Sequence, residues 1–197
     1  MKLFHLSTLV PLIVGFPIEQ EIQEKTEKPI TTKLVQFPYS KHQAYMEQAF
    51  DAATSNMLRG QGGPFGAVIV KDGEVISVGW NKVTSSNDPT AHAEVTAIRN
   101  ATEKLGTFDL SGATLYSSCE PCPMCYAAAL WANIGEIYFG NTQKDADAIG
   151  FRDAAFYEQL KIQDPSKRKT PMINIMRGAH SLEAFKLWSE KTDATKY

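Results

Sequence analysis

Gly66-Ala67-Val68-Ile69-Val70-Lys71-Asp72-Gly73-Glu74-Val75-Ile76-Ser77-Val78 is two short β-rich runs around an Asp-Gly pair. Val and Ile suit a pleated surface, and Asp-Gly supplies the two positive-φ residues that a tight hairpin turn requires. The stretch predicts strands over 66–70 and 75–78 and a sheet that opens antiparallel.

Upstream, Ser40 and Gln43 form a capping box. Tyr45, Met46, Ala49, Phe50, Ala53 and Met57 then recur at helical spacing until Gly60. Downstream, the turn-rich run Thr84 to Pro89 leads into a helix with Val95, Ile98, Ala101 and Leu105 on one face. Ala113 to Ser118 reads as a buried strand, Cys122 to Ala132 as a helix and Ile137 to Phe139 as a strand. Lys144 to Leu160 reads as helix in two pieces broken near Gly150, Met172 to Met176 as a strand and Ser181 to Lys191 as a last helix. Helices alternating with strands after a hairpin predict an α/β fold, a three-layer α/β/α sandwich with a central five-stranded mixed sheet.

The chain has 197 residues, 43% of them hydrophobic, enough for one substantial core. Residues 1–38 form an extension, with the folded domain expected over 39–197. Leu3 to Phe16 is largely apolar behind Lys2, but His5 and Pro11 interrupt it and it is too short to span a bilayer. It reads either as a signal segment over residues 1–17 of an exported protein or as an extension of a cytoplasmic one. Glu19 to Lys33 is too polar to bury itself. A net charge of -2 gives no general attraction to phosphate backbones, so nucleic acid is not expected as partner and a small neutral substrate is. Lys167-Arg168-Lys169 reads as a solvated loop.

All three cysteines, Cys119, Cys122 and Cys125, fall within seven residues, a spacing useless for stapling a fold and suited to a metal in a reducing compartment. Cys122 and Cys125, at i and i+3 of a helix start, meet free N–H groups and a dipole that favour thiolates. With His92 they make a three-ligand zinc site whose fourth position is left for water, whose pKa zinc lowers from 15.7 to about 7. Glu94, two residues after His92, can carry the proton. The competing arrangement closes the site with Cys119 as a fourth ligand and makes it structural, a zinc-stabilised dimerisation module. His5, His42 and His180 lack ligand spacing around them.

His92-Ala93-Glu94 with Pro121-Cys122-Pro123-Met124-Cys125 resembles the paired signature of the zinc nucleobase deaminases of the cytidine deaminase superfamily. Gly62 to Ala67, Trp80-Asn81 and Asn87 to Glu94 are similar to both guanine deaminases and tRNA adenosine deaminases. The run Asp145 to Asp153 and the ending Ala184 to Tyr197 look like the bacterial-type guanine deaminases. That resemblance implies a cytidine deaminase-like fold, one zinc per subunit on His92, Cys122 and Cys125, Glu94 as proton carrier, and hydrolysis of guanine to xanthine and ammonia. It makes Asn81 a substrate contact and Asp153 both a guanine contact and an aid to proton transfer, with Phe65 and Trp131 lining the pocket. It further implies a homodimer that exchanges C-terminal segments and brings Tyr197 to the neighbouring site. Other nucleobases, nucleosides and tRNA adenosine are the alternative substrates on this scaffold. Arg152 stands where an acidic residue is usual, and beside Asp153 it predicts an ion pair that stabilises the carboxylate.

Overall fold

The computed structural model describes residues 41–173 and 182–195. The chain divides into residues 1–37 and 38–197, and the described residues all belong to the second unit. The apolar run from Leu3, the Ser40 end of the capping box, His5, His180 and Tyr197 lie outside the described residues.

Helix α1 (Lys41–Leu58) buries Ala49, Ala52 and Ala53. The hairpin follows as β1 (Gly66–Lys71) and β2 (Glu74–Trp80), paired antiparallel with a register shift between Ile69 and Val70. Asp72 and Gly73 both take positive φ, 53° and 80°, as a turn matching the strand twist demands. A single helical turn, α2 (Val83–Ser86), forms inside the run expected to be turns and ends on left-handed Asn87. Then come α3 (Ala93–Leu105), β3 (Ala113–Cys119), α4 (Pro123–Trp131) and β4 (Glu136–Asn141). The two expected helical pieces are α5 (Gln143–Ala148), opened by a Thr142–Asp145 capping box, and α6 (Asp153–Lys161), with Gly150 at φ 95° between them. Pro165–Lys167 makes a 3-10 turn, and α7 (Glu183–Glu190) is the last helix.

Among the described residues the sheet has four strands in the order β2-β1-β3-β4. β1 pairs antiparallel with β3, and β3 parallel with β4, so the sheet is mixed. The fifth strand expected over Met172 to Met176 does not form in its described part: Met172 and Ile173 have no regular structure, and residues 174–176 lie outside the described residues.

Side chains alternate across β1, as a period of two requires. Ala67 and Ile69 join Ala93, Ala97, Leu110 and Leu115 in one buried cluster. Val68 and Val70 join Ala49 and Tyr116 in another, with Tyr45 and Met46 packed on it. The small residues let helix and sheet backbones meet closely. A Cβ at Gly79 would overlap Ala93 O and Ala97 N of α3. Ser77 Oγ donates to Ala97 O at 2.7 Å and Asn100 Nδ2 to Val78 O at 3.0 Å, which fixes α3 along β2.

No described helix is long and apolar enough to cross a membrane. Gly79→Ala forces α3 off β2 and should destabilise the protein by roughly 2–4 kcal/mol, read as a lowered urea midpoint at unchanged slope.

Candidate active site

The end of β3 and the start of α3 meet at one place. His92 occupies the N-cap of α3 with extended backbone, and Cys122 the N-cap of α4 in almost the same conformation. Pro123 follows at the first helical position, where its missing N–H costs nothing, and Cys125 comes one turn into α4. Two helix N-termini therefore converge, and their dipoles favour negative charge between them.

His92 Nδ1 lies 3.6 Å from Cys122 Sγ and 3.5 Å from Cys125 Sγ, and the two sulfurs are 3.5 Å apart. Among the described residues this is the group of His, Cys, Asp or Glu able to hold a metal ion. Cys119 is not part of it. It ends β3, its thiol donates to Thr142 O at 3.5 Å, and burial pushes its pKa up to about 11. The four-ligand arrangement is thus not the one that the fold builds.

Cys122 is lowered to about 4, first by its hydrogen bond with Cys125 and then, against its burial, by that with His92. The shared proton raises Cys125 in turn, with burial adding to it. His92 is raised chiefly by its hydrogen bond to Cys122.

Glu94 is 6% exposed and has no cationic partner. Its Oε1 accepts from Ser117 Oγ at 3.0 Å and its Oε2 from Cys125 Sγ at 3.4 Å. Burial raises its carboxyl, against the hydrogen bonds from Ser117 and Cys125 that lower it.

A cavity of about 550 Å³ opens onto these groups. Asn81, Phe65 and Asp153 line it, as expected from the sequence, together with His92, Glu94 and Cys122. Asn81 is buried, and its Oδ1 accepts from Gly63 N at 3.1 Å and Val83 N at 3.2 Å. Those two bonds orient the amide and leave its NH₂ as the group offered to a ligand. Asp153, the first residue of α6, is half-buried, and its carboxyl is raised by burial and then by the Cys122 thiolate.

Three placements differ from those expected. Trp131 is 65% exposed at the end of α4 and is not among the residues lining this cavity. Arg152 forms no ion pair with Asp153: it lines a second cavity of about 590 Å³ with Arg168, Lys169, Met124, Phe156 and Leu160. Its cation is therefore not what sets the Asp153 carboxyl, which moves up rather than down. The basic run is likewise not wholly solvated, since the Arg168 guanidinium donates to Ile162 O. His42 sits apart from the cavity, 2.8 Å from the Tyr116 hydroxyl.

Three residues of the site escaped the sequence. Phe151 lines the cavity and meets Phe65 edge-to-face at 4.7 Å. Ser117 holds Glu94. Glu120 borders the cavity and accepts from Gln143 Nε2 at 2.7 Å and Gln143 N at 3.2 Å. Phe151 lay within the guanine deaminase-like run, and Ser117 was signalled only by its inward place on β3.

The guanine deaminase of Bacillus subtilis (strain 168) is 43% identical to this chain over 157 residues, 79% of this chain and 99% of that protein. An X-ray structure of guanine deaminase from Bacillus subtilis superposes with a TM-score of 0.76 at 41% identity, covering 79% of this chain and 98% of that one. A tRNA-specific adenosine deaminase of Agrobacterium fabrum is 46% identical over a shorter stretch, 44% of this chain and 57% of its own. The family described as the cytidine and deoxycytidylate deaminase zinc-binding region matches residues 39–141, which hold every group of the His92, Cys122, Cys125 and Glu94 cluster. By fold, by cluster and by this match, the chain belongs to the cytidine and deoxycytidylate deaminase family.

Proposed function

We infer that this chain hydrolyses guanine to xanthine and ammonia. The observation that carries the reading is one cavity in which a buried Glu94 stands beside the His-Cys-Cys triangle, with Asp153 and Asn81 also lining it. Its likeness to a guanine deaminase along 79% of the chain supports guanine over tRNA adenosine, for which the similarity covers 44%.

The donor set fits zinc. Tetrahedral arms of about 2.3 Å to sulfur and about 2.0 Å to nitrogen give ligand–ligand edges of about 3.5–3.8 Å. The measured edges are 3.5, 3.5 and 3.6 Å. His92, Cys122 and Cys125 would hold the ion, one per subunit. Zinc bound there lowers the pKa of water from 15.7 to about 7, making a nucleophile available near neutral pH.

The chain's own residues do the rest. Glu94 takes the water proton on Oε2, the oxygen at the cluster, while Ser117 holds Oε1 and keeps the carboxyl from turning away. Water oxygen bonds to C2 as Glu94 passes the first proton to a ring nitrogen, and transfer of the second water proton to the amine breaks the C2–N bond, releasing ammonia and leaving the C2 carbonyl of xanthine. Asp153 accepts the N1–H and amine donors along one edge of the base, and Asn81 donates to an acceptor on the ring. Phe65, with Phe151 against it, offers an apolar wall to the purine. A base lacking the donors would leave Asp153 buried and unpaired, the basis for rejecting it.

The functional unit we place over residues 39–197 is a homodimer that exchanges C-terminal segments, with Tyr197 reaching the neighbouring site and a fifth strand completing a three-layer sandwich beside β4. Two features support the exchange. No residue of α7 is buried, with Phe185, Leu187 and Trp188 between 45% and 73% exposed, and the second cavity has an apolar floor of Met124, Phe156 and Leu160. Thiolate ligands favour a reducing compartment such as the cytoplasm.

With guanine, cytosine, adenine, guanosine and a tRNA stem-loop offered in turn, ammonia release is expected from guanine. Glu94→Gln should cut it about 10³-fold with zinc retained, and Asp153→Asn should lower kcat/KM about a hundredfold. Zinc retention without turnover of any of them would sink the guanine assignment.

In the chelated protein, iodoacetamide at about pH 6.5 should modify Cys122 before Cys119, and added zinc should protect Cys122. Peptide mass spectrometry reads the order, and equal labelling of the two contradicts the thiolate assignment.

A chain lacking residues 182–197, mixed with full-length Glu94→Gln chain, should regain guanine turnover, because each copy supplies what the other lacks. No regain, in a mixture shown by sedimentation to contain heterodimers, would rule out the exchange.

A further inference from the structure

Asp153 and Tyr157 stand four residues apart on α6, and so share one of its faces. Asp153 lines the cavity, while the Tyr157 hydroxyl donates to the Pro121 carbonyl at 2.7 Å. Pro121 is buried, and its carbonyl belongs to the peptide that leads into Cys122. One end of this hydrogen bond is therefore the backbone of a metal ligand, and the other is the helix that carries the inferred base contact.

Apart from its packing against α5 and α4, α6 has little else to fix it there. No residue of the helix is buried, Arg152 at its N-cap makes no side-chain hydrogen bond, and the joint to α5 runs through Gly150 at φ 95°. The edge-to-face contact of Phe151 with Phe65 steadies the residues before the helix, not the helix itself. Gln159 is engaged on the far side, where its Oε1 accepts from Lys169 N. Among the described residues, the Tyr157 bond is the one that ties an α6 side chain to the Cys119–Cys125 loop.

We propose that Tyr157 is a positioning residue for the deamination inferred above, a strut that sets the distance between Asp153 and the His92, Cys122 and Cys125 cluster. The proposal rests on that reading for its effect on turnover, but not for its mechanical content. A reacting group must be held within about 0.5 Å of its productive place, and a displacement of about 1 Å can cost about a hundredfold in rate. Where one phenol makes the side-chain bond between α6 and the metal-ligand loop, a single oxygen governs that tolerance.

Tyr157→Phe keeps the ring and removes only the donor. In the zinc-loaded full chain we expect unchanged metal content, faster amide hydrogen exchange over 153–161, and kcat/KM for guanine lowered about tenfold. Because the strut acts through Asp153, adding Tyr157→Phe to Asp153→Asn should cost nothing further. Equal losses on both backgrounds, accompanied by a lower Tm and lost zinc, would mean a merely structural tyrosine and overturn the proposal. So would unchanged exchange over 153–161. Should the wild-type chain fail to turn over guanine, the functional reading falls, and the exchange measurement still decides the strut.

Discussion

The structure depends on holding two helix N-termini within one metal's reach. Neither His92 nor the Cys122–Cys125 pair makes a site alone, and nothing in the chain between residues 92 and 122 joins them directly. The sheet does it. β3 delivers α4 at its end, and α3 lies against β2 so closely that Gly79 has no room for a Cβ. With β2, β1 and β3 adjacent in the sheet, a shift of α3 along β2 would open the 3.5–3.6 Å triangle. The hydrogen bonds of Ser77 and Asn100 to α3 and from it to β2 are in that sense part of the site.

The same frame explains how polar groups are tolerated in the interior. A buried carboxylate without a cation is costly, so burial raises the Glu94 pKa, while hydrogen bonds from Ser117 and Cys125 rather than a Lys or Arg partner offset part of that cost. An ion pair there would lower its pKa and remove the capacity to move a proton. Asn81 is handled differently: two backbone N–H groups saturate its oxygen, so its direction is set before any ligand arrives. Both devices use backbone or short side chains, which hold positions more firmly than long surface residues do.

What was legible in the sequence was what is local. Asp72-Gly73 dictates its own turn, and the spacing of Cys122 and Cys125 dictates one helix face. What was not legible depends on direction around a helix or on distant strands. Trp131 shows the first: Cys125 and Ala129 are the buried residues of α4, and six residues past Cys125 the helix has turned about 240°, so Trp131 faces elsewhere. Arg152 shows it again, since adjacent side chains around a helix start point about 100° apart and the guanidinium enters the second cavity while Asp153 enters the first. Ser117 and Tyr157 show the second. Each matters through a partner 23 or 36 residues away, Glu94 and Pro121.

The inferred division between chemistry and recognition follows from where these pieces lie in the chain. The family-wide match ends at residue 141, with the cluster, Glu94 and Asn81 inside it and α5 and α6 beyond it. The shared part is built into the sheet and its buried helices, where a change in any element disturbs the metal triangle. α6 lies outside the core, with no buried residue, and meets the cluster through the Tyr157 bond to the Pro121 carbonyl. A reaction common to many amino-heterocycles needs the first part fixed, and discrimination among them needs a second part free to vary. That freedom has a physical cost: a recognition group on a surface helix is only as well placed as the few bonds that fasten it. The 2.7 Å bond from α6 to the carbonyl before Cys122 joins the helix outside the family match to the metal-cluster loop inside it, at the point where their relative position matters to both.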